Sequence, residues 1–172
     1  RNYLTTVMGP VLTDANSISV TIEEGFANGT EWNPEDDKYD VEVWDGKTLN
    51  APVDSNNDSI YEIGTGAQLA YLAAAVNGTL PSTASTRAGE VDWAKEEFIL
   101  TANIDLDNNN WTPIGLTEAK SFQGTFDGQD HKIANLLITG NKSDVGLFGF
   151  TTNGEIKNLV VENAKVSGYL NV

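Results

Sequence analysis

Hydrophobic and polar residues alternate near the start of the chain. Residues 17–22 read Ser-Ile-Ser-Val-Thr-Ile, and a period of two places Ile18, Val20 and Ile22 on one face of a strand. A second apolar run precedes this one, so residues 1–26 are predicted to form two strands. Two strands bury little surface by themselves, and this segment therefore needs a further surface to pack against.

A helical spacing of apolar residues follows at residues 65–77. The positions on one helix face, at i, i+3, i+4 and i+7, are Leu69, Leu72, Ala73 and Val76. The Thr65 side chain is placed to cap the first turn, and Asn77-Gly78 is a typical helix end. This is the one helix that the pattern predicts.

The stretch between these elements, residues 27–59, has the texture of a linker. Asn-Gly, Asn-Pro and Asp-Gly pairs interrupt it, and such pairs mark turns. One short alternating strand, residues 41–44, stands inside it. The chain is therefore predicted to divide into an N-terminal β segment with linker, residues 1–59, and a second region, residues 60–172.

From Glu97 onward, short β-rich segments alternate with Gly, Asn and Asp turns, and no helix fits between them. The predicted strands are residues 98–100, 104–106, 125–126, 133–138, 145–148, 156–161 and 164–166. Many short strands without helices leave a sandwich, a barrel or a solenoid.

An internal repeat favours the solenoid. Two pairs of segments carry it: Ile133-Ala-Asn135-Leu136 matches Ile156-Lys-Asn158-Leu159 at an offset of 23 residues, and Gly124-Thr-Phe126 matches Gly146-Leu-Phe148 at an offset of 22. A period of this size is about one coil of a parallel β-helix.

In that register Ile156 stacks on Ile133, Asn158 on Asn135 and Phe148 on Phe126, one strand spacing apart. The prediction is an all-β fold: a right-handed parallel β-helix of about three coils. Its open end exposes apolar edges that must be covered, and the helix at residues 65–77 is the natural N-terminal cap.

Composition narrows the partners. The chain has 25 acidic and 10 basic residues, a net charge of −15, and it lacks the clusters of Lys and Arg that bind nucleic acid or anionic lipid. It has no cysteine, which excludes disulfides and thiolate metal sites. Its single histidine, His131, excludes a zinc site built from several histidines. No run of about 18 apolar residues predicts a membrane span.

The repeat region resembles a known family. Residues 145–149, Val-Gly-Leu-Phe-Gly, followed by residues 154–159, Gly-Glu-Ile-Lys-Asn-Leu, look like the GLUG motif of bacterial surface proteins. The upstream segments at residues 98–106, 111–115 and 122–128 are in the order typical of the first coils of GLUG-type β-helices in adhesin-like proteins. The resemblance implies a structural or adhesive role at the cell surface and brings no catalytic residues.

The head of the chain is similar to another family. Residues 1–6, Arg-Asn-Tyr-Leu-Thr-Thr, with residues 20–22, resemble the closing strands of fimbrillin-like domains from Gram-negative anaerobes. This implies a fimbrillin-like sandwich before the β-helix, an extracellular, outer-membrane location and association with pili. The abrupt start and the strand-like end suggest a piece of a longer protein, and the alternating strand of residues 1–26 is suited to strand exchange with another chain.

Few residues are candidates for binding. Trp32 and Trp44 stand in the turn-rich linker, where exposed aromatic rings favour contact with sugars. Asp105 and Asp107 place carboxylates at alternate positions, as in a calcium loop, but the glycine and the glutamate that complete such a loop are missing. An ordinary polar turn is the favoured interpretation, and no cofactor is expected.

The predicted function is a non-enzymatic structural or adhesive surface module that contacts glycans or proteins of a host or bacterial surface. The alternative is the N-terminal part of a polysaccharide-degrading β-helix enzyme, for which Asp127, Asp130 and Asp144 are the available carboxylates. A third interpretation is a stalk that only projects another domain. About three coils offer little length for a substrate groove, which favours the first interpretation.

Overall fold

Short parallel strands make up most of the regular structure. The computed structural model describes residues 41–82, 91–140 and 145–168, all within one compact unit of the chain, Lys38–Val172. This part contains one α-helix, α1 (Gly66–Asn77), and a 3-10 turn at Glu118–Lys120. Its strands are β1 (Ile60–Ile63), β2 (Glu97–Leu100), β3 (Ile104–Asp105), β4 (Thr125–Asp127), β5 (Lys132–Ala134), β6 (Leu137–Ile138), β7 (Glu155–Lys157), β8 (Val160–Glu162) and β9 (Lys165–Val166).

The chain returns to three sheets in rotation. The first sheet has the order β1-β2-β4-β7, the second β3-β5-β8 and the third β6-β9, and all paired strands are parallel. Strands that follow one another from β4 to β9 thus lie in different sheets before the chain comes back to the first. The described residues form parallel sheets with one α-helix and no closed barrel, as the predicted all-β, parallel character requires.

The strand register corrects the predicted repeat. Ile133 of β5 pairs with Val161, and Phe126 of β4 pairs with Ile156. These partners are 28 and 30 residues apart, not 22 or 23. The predicted stacking of Ile156 on Ile133 is therefore wrong.

Phe126 and Phe148 do meet, although not as strand partners. Their ring centroids are 5.3 Å apart in an edge-to-face arrangement. The backbone of Phe148 pairs instead with Ile114 in an isolated parallel bridge. Gly146, the partner of Gly124 in the predicted repeat, lies in no strand.

Asparagines in the left-handed conformation explain why residues 133–136 and 156–159 look like a repeat although they do not pair. Asn135 (φ 58°) follows β5 of the second sheet, whereas Asn158 (φ 49°) follows β7 of the first sheet. The counterpart of Asn135 is Asn163 (φ 53°), which follows β8. At both of its occurrences the Ile-x-Asn-Leu pattern therefore marks a strand that ends at a corner. Asn is suited to a corner because it tolerates the left-handed conformation better than most residues. These corners split the predicted continuous strands at residues 133–138 and 156–161.

Two other segments also differ from the prediction. Residues 60–63, which carry no predicted strand, form β1 at the edge of the first sheet. The predicted strand at residues 41–44 is reduced to a single bridge between Val43 and Asp105. The described part of the predicted linker, residues 41–59, therefore belongs to the same folded unit as the residues after position 60.

The core consists of apolar residues that stack from strand to strand. Phe98 and Phe126 are register partners and fully buried, and so are Ile104 and Ile133. A side chain of this size contributes about 1.5–3 kcal/mol when it is fully buried. Ile156, which continues the first of these columns, is 39% exposed, because no described strand pairs beyond β7.

Helix α1 begins and ends where the sequence predicts. The Thr65 hydroxyl accepts a hydrogen bond from the Gln68 backbone (3.2 Å), and the Gln68 side chain accepts one from the Thr65 backbone (3.1 Å), which together form a capping box. Gly78 (φ 68°) supplies the left-handed end. Nine of the twelve helical residues are buried, so α1 is embedded in the core instead of presenting a wide face to solvent.

Asn77 ties the end of α1 to a turn of the β-rich region. Its Nδ2 donates to the carbonyl of Pro113 (2.9 Å), and its Oδ1 accepts from the backbone N–H groups of Gly115 (3.1 Å) and Leu116 (2.9 Å). The residue is only 7% exposed. One buried amide thus satisfies three backbone groups that a loop would otherwise leave without partners.

Asn77→Leu is expected to lower the free energy of unfolding by about 2–5 kcal/mol, because two buried N–H groups lose their acceptor. Asn77→Asp keeps an acceptor but buries a negative charge against the Pro113 carbonyl and at the carboxyl end of α1, so it should also destabilise the protein, and its loss should shrink at low pH, where the carboxyl is protonated. Urea unfolding followed by circular dichroism measures both variants. Equal stability of wild type and Asn77→Leu would contradict this account of the contact.

Engineered disulfides test the register, since the chain contains no cysteine. Lys132 and Val160 are Cα partners on β5 and β8, and neighbouring strands lie about 4.8 Å apart, within the Cα range of a disulfide. Lys132→Cys combined with Val160→Cys should therefore oxidise readily to an intramolecular disulfide.

The matched control is Lys132→Cys with Glu155→Cys, a pair with the 23-residue offset of the apparent repeat. Those two residues lie in different sheets, and their thiols should stay free under the same oxidation. Thiol titration and peptide mass mapping distinguish the two results. A disulfide in the control pair alone would support the shorter period.

Candidate functional site

A cleft of about 200 Å³ opens between helix α1, the loop after Val43 and the turn around Trp111. Its apolar side is formed by Leu49, the two tryptophans Trp44 and Trp111, and the alanines Ala70, Ala73 and Ala74 of α1. Its polar side chains are Lys47, Thr79, Asn110 and Thr112. The cleft therefore joins three segments that are well separated in the sequence.

Trp44 is held inside this arrangement from several directions. Its backbone N–H donates to the carbonyl of Asp105 (2.9 Å), and its indole Nε1 donates to the carbonyl of Thr48 (3.0 Å). Its ring meets the ring of Trp111 edge to face, with centroids 5.7 Å apart. Gly66 lies so close that a Cβ at this glycine would overlap the Trp44 side chain.

The predicted exposure of Trp44 is wrong. The residue is 7% exposed, because its side chain packs against Gly66 of α1 and against the ring of Trp111. Trp44 therefore lines the cleft at its edge and offers no open ring face on which a sugar could stack. Trp32, the other predicted aromatic contact, lies outside the described residues.

The loop after Trp44 is shaped by Asp45. Its Oδ1 accepts hydrogen bonds from the backbone N–H groups of Lys47 (2.8 Å) and Thr48 (2.7 Å), and its Oδ2 accepts one from the Thr48 hydroxyl (2.6 Å). The Thr48 hydroxyl and the two backbone donors favour the ionised form and lower the pKa of Asp45 from 3.8 to about 2. The carboxylate thus fixes the loop that brings Lys47 to the rim.

Asp105, one of the two predicted calcium ligands, serves a turn. Its Oδ1 accepts from the backbone N–H of Asp107 (2.7 Å) and from Nδ2 of Asn135 (2.8 Å). Asp107 itself adopts a left-handed conformation (φ 50°). Among the described residues, no group of three or more His, Cys, Asp or Glu side chains is arranged to hold a metal ion.

Asp127, at the end of β4 in the first sheet, makes the same pair of contacts as Asp105. Its Oδ1 accepts from the backbone of Gln129 (3.0 Å) and from Nδ2 of Asn158 (3.0 Å), and Lys157 Nζ lies 3.8 Å from its other oxygen. The Gln129 backbone, followed by Asn158, lowers the pKa of Asp127. A general acid of a glycosidase needs the opposite shift.

Asp130, the other described carboxylate of the enzymatic alternative, also serves a turn. Asp130 lies at a turn, where its backbone N–H donates to Asn158 (3.0 Å) and its conformation is left-handed (φ 60°). His131 is the next residue and its backbone N–H donates to Gly128 (2.8 Å). Asp144 lies outside the described residues.

The sequence does not predict that the polar residues at the rim of the cleft lie together. Lys47, Thr79 and Thr112 are exposed residues in three different loops, and nothing in their local sequence signals that they share a cavity. The hydrogen-bonded pairs of Asp and Asn between neighbouring strands carry a weak signal, since Asp105 and Asp127 each stand two positions before a left-handed residue.

At about 200 Å³, the cleft is smaller than the roughly 300–1,000 Å³ of pockets that hold drug-sized ligands. Its apolar floor and its ring of hydroxyl, amide and ammonium groups suit one small amphipathic ring or side chain. Chemically the cleft can bind and orient a ligand.

The described residues thus belong to a β-rich protein with three parallel sheets, one buried helix and a small cleft of mixed polarity. No family model matches the sequence, and no solved structure matches it. Among curated proteins, the chain is similar to Halomucin from Haloquadratum walsbyi, with 31% identity over 137 aligned residues that cover 72% of this chain. The chain spans about 1% of the length of that relative.

In the part of the chain that is described, no helix combines the length and the apolar character needed to cross a lipid bilayer.

The ionisation of Asp45 is expected to make the free energy of unfolding depend on pH at acidic values. Its pKa is lowered in the folded state, so its contribution is present above the ordinary value of 3.8 and is lost as the pH falls towards about 2. Asp45→Asn should be less stable than wild type at neutral pH, and the difference should shrink across that window. Thermal unfolding at a series of pH values measures it.

The control is Glu118→Gln, which also converts a carboxylate to an amide. Glu118 is exposed, and no hydrogen bond or ion pair joins its side chain to the other described residues. Its difference from wild type should stay small and flat over the same pH range. A gap for Asp45→Asn that does not change with pH would contradict the proposed role of the carboxylate.

Proposed function

We propose that this chain is a right-handed parallel β-helix module of an extracellular or cell-surface protein, with a structural or adhesive role and no enzymatic activity. The observation that carries the proposal is the rotation of the chain through three parallel sheets. Partners in each sheet recur after 28–30 residues once the first strand is passed. Such a regular return is the basis of a solenoid, whose surface grows with each coil.

The architecture supports a structural role. In a solenoid each coil contacts its neighbours only, so length and exposed surface can increase without a new core. Residues at the end of the stack keep apolar positions open: Ile156 and Val161 are each 39% exposed, although their register partners Phe126 and Ile133 are fully buried. An end of this kind is suited to further coils, with α1 as the cap at the other end.

The location is supported by the relative and by the charge. Similarity to a protein named Halomucin favours a surface or secreted protein. A net charge of −15 on 172 residues keeps such a surface hydrated and soluble. The GLUG and fimbrillin-like resemblances, the outer-membrane location and the association with pili stay predictions from the sequence.

A non-enzymatic role is supported by the described carboxylates. Asp127 is ionised and engaged with Gln129 and Asn158, so it serves the corner between coils. Asp130 lies at a turn, and no contact in the described part of the chain favours the enzyme alternative.

Glycans are the ligand class that suits the cleft beside Trp111. A sugar ring has apolar C–H faces and a rim of hydroxyl groups, and the alanine floor and the Lys47, Thr79 and Thr112 rim match these two properties. Adhesion through this cleft is the specific form of the proposed function.

Thr112→Phe fills the rim of the cleft and should weaken binding on a broad array of host and bacterial glycans by at least about tenfold, equal to about 1.4 kcal/mol. Thr152→Phe introduces the same side chain at an exposed threonine outside the cleft and should leave binding unchanged. Equal loss of glycan binding in both variants would show that the contact lies outside the cleft. Silence of the wild-type protein across the array would overturn adhesion to glycans in favour of a stalk.

A further inference from the structure

A second cavity, of about 250 Å³, lies on another side of α1 and has a different chemistry. Its polar groups come from residues of two loops: Asp92, Trp93, Lys95, Lys120, Ser121 and Gln123. The two loops are joined directly, because the backbone N–H of Gln123 donates to the carbonyl of Ala94 (2.7 Å). The cavity is therefore part of the folded framework.

Positive charge is concentrated at this cavity. The chain has 10 basic against 25 acidic residues, yet Lys95 and Lys120 both line the cavity, with Asp92 as the one carboxylate among the lining residues. Asp92 is already engaged, since its Oδ2 lies 2.6 Å from Lys95 Nζ. Two ammonium groups and one carboxylate leave an excess of one positive charge in a strongly acidic protein.

Lys120 lies between the cavity and the end of α1. A Cβ built on Gly78, at the end of α1, would lie 3.0 Å from Lys120 Nζ, so the ammonium group sits beside the carboxyl end of the helix, where a cation is favoured. No ion pair joins Lys120 to another described residue. Its charge is therefore available to an anion.

Trp93 adds an unused hydrogen-bond donor. The residue is 4% exposed, and its indole Nε1 is buried with no hydrogen-bond partner. Buried donors without partners are rare, because each loses its bond to water and gains nothing in return. Ser121, itself 3% exposed, and Gln123 provide further polar groups at the same cavity.

We propose that this cavity binds a small carboxylate. Lys120 holds the negative charge, Lys95 stays paired with Asp92, and Trp93 Nε1, the Ser121 hydroxyl and the Gln123 amide donate hydrogen bonds to the oxygens. The carboxylate belongs either to an acidic sugar or to a free organic acid, which present the same group to the cavity. This site is separate from the cleft beside Trp111 and does not depend on binding there.

Isothermal titration at low salt with glucuronate, acetate and glucose tests the proposal. Glucuronate should bind and glucose should not, and the affinity should fall as salt is added, because exposed lysines are screened. Binding of acetate as tight as that of glucuronate identifies a general carboxylate site, whereas binding of glucuronate alone identifies a site for acidic sugars. Equal binding of glucose and glucuronate, or no binding of either acid, overturns the proposal.

Two variants locate the site on the molecule. Lys120→Met should weaken glucuronate binding at least tenfold, while Lys132→Met, which removes an exposed lysine paired with Glu162 (2.8 Å), should not change it. Trp93→Phe keeps an aromatic ring but removes the indole donor, and it should weaken binding several-fold while the near-UV circular dichroism shows a folded protein. Unchanged affinity in Lys120→Met and Trp93→Phe would overturn the assignment.

Discussion

Backbone pairing between successive parallel strands is the interaction on which the rest of this structure depends. Each strand is only two to four residues long and cannot satisfy its own N–H and C=O groups, so it needs the strands before and after it in the same sheet. Because all the sheets are built from the same passages of the chain, a shift in one would misalign the others. The interval of 28–30 residues is therefore a property of the whole stack.

The corners keep that pairing in register. Asn135 and Asn158 turn the chain in the left-handed conformation and also donate to the carboxylates of Asp105 and Asp127 in the preceding passage. One side chain thus serves both the local turn and the contact between passages. This dual use explains why Asp105, a predicted cation ligand, and Asp127, a carboxylate of the enzymatic alternative, accept hydrogen bonds from amide donors in the structure.

Helix α1 places the two candidate sites on the molecule. One cleft combines the alanines of α1 with Trp44 and Trp111, and the other cavity lies beside the end of α1 with Trp93 and Lys120. The first combines an apolar floor with hydroxyl, amide and ammonium groups, whereas the lining of the second is mainly polar and includes two lysines and one aspartate. Both lie where α1 meets loops between strands, as expected when a regular framework carries binding residues on its connections.

The sequence by itself determined the local elements: the capped helix at residues 65–77, most of the strand positions and the β-rich character after Glu97, because apolar spacing and turn residues act over a few positions. It did not determine the period, since the Ile-x-Asn-Leu pattern belongs to corners of different sheets and only the pairing of Ile133 with Val161 distinguishes them. Nor did it reveal that Trp44 is buried or that Lys95 and Lys120 share a cavity. Those facts depend on contacts between residues far apart in the chain, which only the tertiary structure decides.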